Sequence, residues 1–564
     1  MAWRDSRLDR RQMIKYTGAL GTGAFLAGCT GNGDNGFDDG PPGDDGPDGE
    51  VPDFTYVTAV PINSMDPMIG NSELEAILLH NIYDPLLYYS HEAPPTLKPW
   101  LAKDFPEETE AGDGMAYTFE LREDATFHDG SPVTAEDVVY SVERMLTMQQ
   151  GFAWMWPGVL SPDSASEIDE HTVEITTDDA FGPFLSTVPY LFVVNKDLVE
   201  ENAEDGQYGE HGDYGSGWLE QNSASSGPYE IREHRPREEV ILDRNEDWWN
   251  EEAFAEGDNF DTVRVRLVPE RATMMGMMEN EEAHHTSQWL ALEQYNRIDE
   301  MDHARTFTSL TFMPQYAFMN NMKEPLDDVN VRRAISHALD YDQLLNDVAP
   351  ESEPLAGPLP SRQLGEFDHP GEDRVPQYEQ DLDLAKDYLD DSSYSVDDMP
   401  TLTFTTDTGL VVKENIGLLL QSNLRQLDID IEINRAPWSS IVEQSTNPET
   451  TDHFQITFVA PLYADPDSLL FSSWHSSVQG SWASASWYEN DRVDELLMGG
   501  RRSTDLAERQ EMYAEAQEII NDEAAAIFIN NHPHRWGLHN NVKNYHDNGL
   551  MGYAQTFHEY YWES

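Results

Sequence analysis

Two kinds of hydrophobic spacing alternate along the chain from residue 54 onward. In short segments bounded by Gly, Pro or Asp, apolar or β-branched residues recur at every second position, which is the spacing of strands. These segments are 54–60, 116–121, 172–176, 240–243, 263–268, 401–405 and 430–433. Between them, apolar residues recur three or four positions apart, as on one face of a helix. The alternation predicts an α/β fold in both halves of the chain.

Capping residues mark the starts of two predicted helices. Thr134 precedes one helix face, and Asp137 stands at the third helical position as a variant of the capping box. Asp328 stands in the same relation to a second face, and later faces run through 384–389 and 506–520. At 564 residues the chain exceeds the ~250 to 300 residues at which single cores stop growing, so two lobes are expected.

Residues 1–28 have the pattern of an export signal. Arg10-Arg11 precedes an apolar, glycine-rich run of about 11 residues, which is too short to span the ~30 Å hydrocarbon layer. The arginine pair resembles the twin-arginine signal, and residues 26–29 resemble the lipoprotein box, in which the thiol of Cys29 takes a lipid. The alternative is that Cys29 is a free cysteine buried in the protein core. Residues 29–50, nearly all Gly, Pro, Asp and Asn, predict a flexible acidic tether.

The charge narrows the class of protein. The formal net charge is −72, from 106 acidic and 34 basic residues spread along the chain, which excludes ordinary nucleic-acid binding. Such self-repulsion is largely screened in molar salt, where the Debye length is ~3 Å. We therefore expect a salt-loving source, and the scarcity of lysine among the basic residues resembles haloarchaeal proteins.

Candidate metal and catalytic residues are few. Cys29 is the only cysteine, so neither an intramolecular disulfide nor a Cys-based metal site can form. His284-His285 and the histidines at 532 and 534 lack partners at spacings such as H-E-x-x-H, and we predict that they lie on the surface. The chain also lacks a G-x-S-x-G elbow and a catalytic cysteine. No metal site, no cofactor and no catalytic residue is expected.

A series of motifs carries a family resemblance. The most specific occupies 117–122 and continues at 127–141, and the others occupy 64–67, 81–86, 226–229, 244–249 and 325–335. In this order they resemble the extracellular solute-binding proteins of peptide and nickel ABC importers, family 5, of the dipeptide- and oligopeptide-binding type. The resemblance covers nearly the whole chain after the tether.

The resemblance implies a two-lobe periplasmic-binding-protein-like fold of class II, in the large cluster with an extra subdomain in lobe I. We expect lobe I at 51–312, lobe II at 313–530 and a C-terminal return to lobe I at 531–564. The two crossing segments are expected near 307–321 and 527–532. The solute would be held in the cleft between the lobes, which close over it by a hinge motion.

Site residues are inferred from segments at the lobe edges. Residues 462–467 resemble the family's Asp-Pro loop, and peptide-binding members carry an Asp where this chain has Leu462. The missing carboxylate disfavours a peptide with a free amine. The candidate ligand contacts are Trp438, Tyr463, Asp465, Trp154, Trp156 and Trp474. The alternatives are a turn-forming role for Asp465 and core positions for the tryptophans.

The resemblance implies a function and its partners. We expect the substrate-binding component of an ABC importer, not an enzyme, which captures a small peptide-like solute and delivers it to the permease. The protein would be a monomer, anchored by its lipid to the extracellular face of the cytoplasmic membrane after twin-arginine export. The alternatives are an extracellular hydrolase acting on a small polar substrate and a protein of the same fold that binds a nickel chelate or an oligosaccharide.

Overall fold

The computed structural model describes residues 51–91 and 94–564. Cys29 and the whole of the predicted signal and tether up to residue 50 lie outside the described residues. The apolar residues form two large cores. One is built mainly from residues 54–312 and 536–560, and the other from residues 316–529. Each core belongs to one lobe.

Lobe I contains most of the short strands. They are β1 (Phe54–Thr58), β2 (Leu87–Tyr89), β3 (Leu97–Pro99), β4 (Glu107–Ala111), β5 (Gly114–Glu120), β6 (Ala165–Asp169), β7 (Thr172–Thr176), β8 (Tyr229–Arg235), β9 (Glu239–Arg244), β10 (Asp258–Asn259), β11 (Thr262–Leu267) and β12 (His285–Thr286). Its helices are α1 (Glu73–Ile82), α2 (Ala135–Met148), α3 (Phe184–Thr187), α4 (Lys196–Glu201), α5 (Ser216–Leu219), α6 (Arg271–Glu279) and α7 (Leu292–Asp299).

Lobe II is richer in helices, and in the sequence most of it lies between two long strands. These strands are β13 (Ala304–Met319) and β18 (Ala526–His539). The helices are α8 (Val329–Ala338), α9 (Tyr341–Gln343), α10 (Leu382–Asp390), α11 (Val411–Leu424), α12 (Trp438–Gln444), α13 (Asp467–Trp474), α14 (Asp491–Arg502) and α15 (Leu506–Asp522). The remaining strands are β14 (Glu353–Pro354), β15 (Leu402–Asp407), β16 (Ile431–Ala436) and β17 (Phe454–Phe458), followed after β18 by β19 (Val542–Lys543) and β20 (Tyr561–Trp562).

One sheet runs through both lobes. Its order is β16-β15-β17-β13-β18-β12-β1-β11-β9-β8, with β14 paired to β18. β13 and β18 pair antiparallel along their length, but the register shifts between Ser309 and Met313 and again after Gln315. The chain thus passes twice from one core to the other through paired strands with an interrupted ladder. The boundaries predicted at 312 and 530 fall inside these two strands.

The motif at 117–141 builds a smaller sheet in lobe I. Its order is β4-β5-β7-β6, and α2 packs beside it. The predicted start of α2 is confirmed, since the Thr134 backbone N–H donates to Asp137 Oδ2 at 3.0 Å, as in a capping box. All the predicted strands overlap observed ones. None of the helices in the described parts of the chain combines the length and apolar character needed to cross a bilayer.

Three of the sequence motifs meet around the carboxylate of Asp84. Its two oxygens accept indole N–H bonds from Trp100 at 2.7 Å, Trp249 at 2.8 Å and Trp248 at 3.3 Å, and the hydroxyl of Ser226 donates at 3.0 Å. Asp84 is buried, and burial raises its pKa to about 6 although the four donors oppose the shift. The motifs at 81–86, 226–229 and 244–249 therefore form a structural core of lobe I.

Candidate functional site

A cavity of about 220 Å³ lies where the two lobes meet the crossing strands. Lobe I contributes the loop after β12 and parts of α6 and α7, while lobe II contributes the loop after β15 with the start of α11. The cavity volume is many times the ~10 to 15 Å³ that a single water molecule needs. The main lining segments are 288–292, 347–350, 409–412 and 532–533, with Arg271, Tyr295, Ser352, Asn415, Phe458 and Arg535.

Both cavity loops follow the carboxyl ends of strands in the shared sheet. The loop 287–291 follows β12, which is parallel to β1, and the loop 408–410 follows β15, which is parallel to β16. In open α/β sheets, ligands bind outside the carboxyl ends of the strands. The position of the cavity therefore agrees with the general rule for such sheets.

Three aromatic rings form one wall of the cavity. The ring of Trp289, from lobe I, is stacked on His532 with an interplanar angle of 5° and a centroid distance of 6.2 Å. Phe458, from lobe II, lies 5.7 Å from Trp289 and 4.5 Å from His532. Trp289 is only half-buried. Such a wall offers apolar area to a solute that enters between the lobes.

The charged residues that line the cavity are two arginines, Arg271 and Arg535, and one acid, Asp347. Arg271 Nη2 donates to the Gly409 carbonyl at 3.3 Å and so connects the two lobes across the cavity. The Arg535 guanidinium lies 4.7 Å above the ring of Tyr295, and its Nη1 is 3.4 Å from Glu351 Oε2. Because Glu351 lies beside Arg535, Arg271 is the group that most favours a solute with a negatively charged end.

A third cation stands behind the aromatic wall. Lys413 is buried, its Nζ lies 2.6 Å from Asp407 Oδ2, and it is 4.6 Å from the centre of the Phe458 ring. Burial lowers the pKa of Lys413, and Asp407 opposes that shift. The contact of an ammonium group with the ring face is a cation–π interaction.

Polar groups of lobe I hold the side chain of Gln288, the residue next to Trp289 in the cavity lining. Gln288 Nε2 donates to both carboxylate oxygens of Glu73 at 2.7 Å. The Nε2 of His534 lies 3.6 Å from Glu73, and its Nδ1 lies 2.6 Å from Asp547 Oδ2. Burial opposes charge on His534, but the Asp547 carboxylate raises its pKa above the ordinary value. The chain of contacts fixes the side chain of Gln288, which lines the cavity.

The prediction of surface histidines is wrong. His284, His285 and His534 are buried, and His532 is half-buried in the cavity wall. The ring of His284 accepts the Thr55 backbone N–H at 3.0 Å, and His285 packs edge-on against Tyr56. A buried imidazole needs no acidic neighbour in the sequence, because its partners, such as the Thr55 N–H and Asp547, come from distant parts of the chain.

Contacts away from the cavity hold the lobes together. The Ala464 backbone N–H donates to Tyr89 Oη at 3.0 Å, and the Met551 N–H donates to the Pro461 carbonyl at 3.0 Å. On another edge, the Gly182 N–H donates to the Arg501 carbonyl at 2.8 Å. The lobes are therefore closed upon one another around the cavity.

The predicted Asp-Pro loop lies in this lobe contact. Leu462 and Tyr463 pack into the core of lobe I, and the Tyr463 hydroxyl donates to Asp467 Oδ2 at 2.8 Å. Both oxygens of Asp465 accept from Arg509 Nη2, at 2.7 and 2.9 Å, and Asp465 is only 2% exposed. Tyr463 and Asp465 are not among the residues that line the cavity. Their contact with a solute stays a prediction.

The predicted tryptophans are scattered. Trp438 is half-buried, 5.3 Å from Trp482, and lies 5.8 Å from Lys413 Nζ, which also faces the aromatic wall. Trp156 is fully buried in lobe I and donates to Thr187, while Trp474 is buried in lobe II. Trp154 is 38% exposed. Of the four, Trp438 lies nearest to the cavity wall by these contacts, and its solute contact also stays a prediction.

Comparison with known proteins identifies the family. Residues 96–481 match the family described as bacterial extracellular solute-binding proteins, family 5. The chain is 29% identical over 448 residues to the probable D,D-dipeptide-binding periplasmic protein DdpA of Escherichia coli K12, covering 78% of this chain and 80% of that protein. It is 22% identical to the periplasmic oligopeptide-binding protein OppA of Salmonella typhimurium, covering 83% and 84%.

Solved structures show the same fold. The ABC transporter substrate-binding protein CtaP of Listeria monocytogenes superposes with a TM-score of 0.75 at 22% identity, covering 91% of this chain and all of that one. The periplasmic binding protein DppA of Helicobacter pylori, in complex with the peptide STSA, gives a TM-score of 0.70 at 22% identity, covering 91% and 98%. The chain has the two-lobe α/β fold of these proteins, and it belongs to the family 5 extracellular solute-binding proteins.

Proposed function

We propose that this chain captures a small peptide-like solute in the cavity between its lobes and delivers it to the permease of an ABC importer. The observation that carries the proposal is the cavity itself, which both lobes and the crossing strand β18 line. Enclosure between lobes is how a binding protein of this fold buries most of a small ligand. The family match and the relatives named for dipeptide and oligopeptide binding support the class of solute.

The solute presents a negatively charged end to the Arg271 and Arg535 side of the cavity. The apolar part of the solute packs on Trp289 and Phe458, which face each other at 5.7 Å. Leu462, which is buried in the lobe contact, supplies no carboxylate for an ammonium group. A peptide with a blocked or differently placed amine is therefore favoured over one whose ammonium group needs a carboxylate at position 462.

The chain is exported and anchored outside the cell. The arginine pair at 10–11 and the box that ends in Cys29 support twin-arginine export and lipid attachment. The net charge of −72 supports a haloarchaeal or other salt-loving source. The anchored protein acts as a monomer. Mass spectrometry of the protein extracted from membranes tests directly whether Cys29 carries a lipid.

A ligand panel tests the proposed function. The thermal midpoint of residues 51–564 is measured in molar KCl with D,D-dipeptides, L-dipeptides, N-acetylated dipeptides, oligosaccharides and nickel chelates. A solute at 100 times its dissociation constant adds about 2.7 kcal/mol to the free energy of unfolding. A midpoint rise with a peptide and no turnover supports the proposal. Hydrolysis of any panel member, or a response to sugars or chelates alone, contradicts it.

A further inference from the structure

A cluster of metal-binding side chains lies in lobe I outside the solute cavity. His91, His546 and Glu559 each offer one ligand atom, and these atoms lie within 4.8 Å of one another. His91 Nε2 is 2.9 Å from Glu559 Oε1, and His546 Nε2 contacts the other oxygen, Oε2. None of the three residues lines the cavity between the lobes.

The cluster joins segments that are far apart in the sequence. His91 follows β2, His546 follows β19, and Glu559 stands just before β20. The side chains of His91, Glu559 and His546 are 11%, 17% and 27% exposed, so an ion can reach them while most of their surface is covered. An ion held here would fasten the last part of the chain to the first part of lobe I.

A second observation points to the same place. His558 is 1% exposed, and neither of its ring nitrogens has a hydrogen-bond partner among residues 51–91 and 94–564. Its Nε2 lies 3.9 Å from Glu559 Oε1. Buried polar groups are normally paired, because an unpaired one loses its hydration without compensation. A buried imidazole beside two others and a carboxylate is explained if the group binds an ion.

The donor atoms of the cluster suit a divalent cation. Imidazole nitrogens with one carboxylate oxygen form a donor set of intermediate softness, which suits zinc and its neighbours in the transition series better than calcium or magnesium.

We propose that His91, His546 and Glu559 form a structural site for zinc or a similar transition-metal ion, with His558 positioned as a further ligand. The bound ion would cross-link the C-terminal segment to lobe I. Ligand atoms around a tetrahedral zinc lie about 3.3 Å apart, so small side-chain rotations close the cluster on the ion. A chain with one cysteine has no intramolecular disulfide, and a metal ion is another cross-link available to an exported protein.

Metal binding is measured on tag-free residues 51–564 in molar KCl, with millimolar Mg²⁺ and Ca²⁺ present to occupy the acidic surface. Zinc is titrated in competition with a chromophoric chelator. We expect one zinc per chain, a rise of about 2 °C or more in thermal midpoint at 100 times the dissociation constant, and nearest X-ray absorption shells at about 2.0–2.1 Å. The variants His546→Ala and Glu559→Gln are expected to bind zinc at least about 100-fold more weakly.

The control is His211→Ala, because His211 pairs with a single carboxylate, Glu143, at 3.5 Å. This variant should keep one tight zinc. The proposal is overturned if the parent takes up no stoichiometric zinc, which would leave a hydrogen-bonded His–Glu–His cluster, or if the two cluster variants bind as tightly as the parent. X-ray absorption of the zinc-loaded parent tests the proposal even if a variant folds poorly. A zinc coordination shell without imidazole scattering also overturns the proposal.

Discussion

Replacing Asp465 by Ala separates a structural role from a solute-binding role. Considered from sequence alone, this variant should weaken solute binding and leave the unliganded thermal midpoint nearly unchanged. The structure changes that expectation, because both oxygens of Asp465 accept from Arg509 at 2.7 and 2.9 Å in a buried pair. Alanine at 465 leaves the Arg509 guanidinium buried with no carboxylate beside it.

The size of the effect follows from the burial of the pair. Asp465 and Arg509 side chains are 2% and 7% exposed, so molar salt screens their interaction little. Removing one partner of a buried ion pair costs about 3–5 kcal/mol, because the other charge stays desolvated. Unfolding a chain of this size has an entropy on the order of 1 kcal/mol per degree, so we expect a fall of roughly 3–5 °C in the midpoint.

The assay is calorimetry of residues 51–564 in molar KCl, without solute and then with the solute that the panel selects. The double variant Asp465→Leu with Arg509→Met removes both charges and should recover most of the loss. Glu515→Ala is the exposed control, because its partner Arg492 is 48% exposed, and its midpoint should change by less than about 1 °C.

One result would refute this reasoning. If Asp465→Ala keeps the parent's unliganded midpoint and loses solute affinity, the carboxylate is not held by Arg509 in the way the structure shows. The direct contact of Asp465 with solute would then be supported instead.

Two further predictions concern the cavity and the core of lobe I. Trp289→Ala removes the ring that stacks on His532 and should weaken solute binding by about 10-fold or more in isothermal titration calorimetry. Because this ring is half-buried, the thermal midpoint without solute should stay within about 1 °C of the parent. A solute affinity equal to that of the parent would contradict the prediction. Asp84 has a folded-state pKa raised to about 6, so its contribution to stability is present below pH ~4 and lost as the pH rises through 6. Between pH 4 and 7 the parent should therefore lose about 2–3 kcal/mol relative to Asp84→Asn in denaturant unfolding, and a difference that does not change with pH would contradict it.

Much of the fold could be predicted from local sequence. Strands such as β7 and β9 are short, have alternating apolar residues and end at turn formers, so the pattern sets them directly. The capping residues Thr134 and Asp328 mark the starts of α2 and α8 because caps act within one helical turn. These signals are local, and tertiary contacts did not override them.

The site could be predicted only in part. Trp289 and Gly409 come from loops more than one hundred residues apart, and only the parallel pairing of the strands before them shows that both lie at the carboxyl edge of one sheet. The rule that ligands bind outside the carboxyl ends of the strands would have indicated these loops. The pairing of Asp465 with Arg509 could not be predicted, because a sequence does not show which cation lies beside a buried carboxylate. The buried histidines were missed for the same reason, since their neighbours come from distant strands.

The most direct test of the central claim is a crystal structure of the chain with the solute selected by the panel. We expect density for one solute between the lobes, with its apolar part against Trp289 and Phe458 and its charged end within 3.5 Å of Arg271 or Arg535. Density for the solute on the outer surface of either lobe, with the cavity between the lobes unchanged, would contradict it.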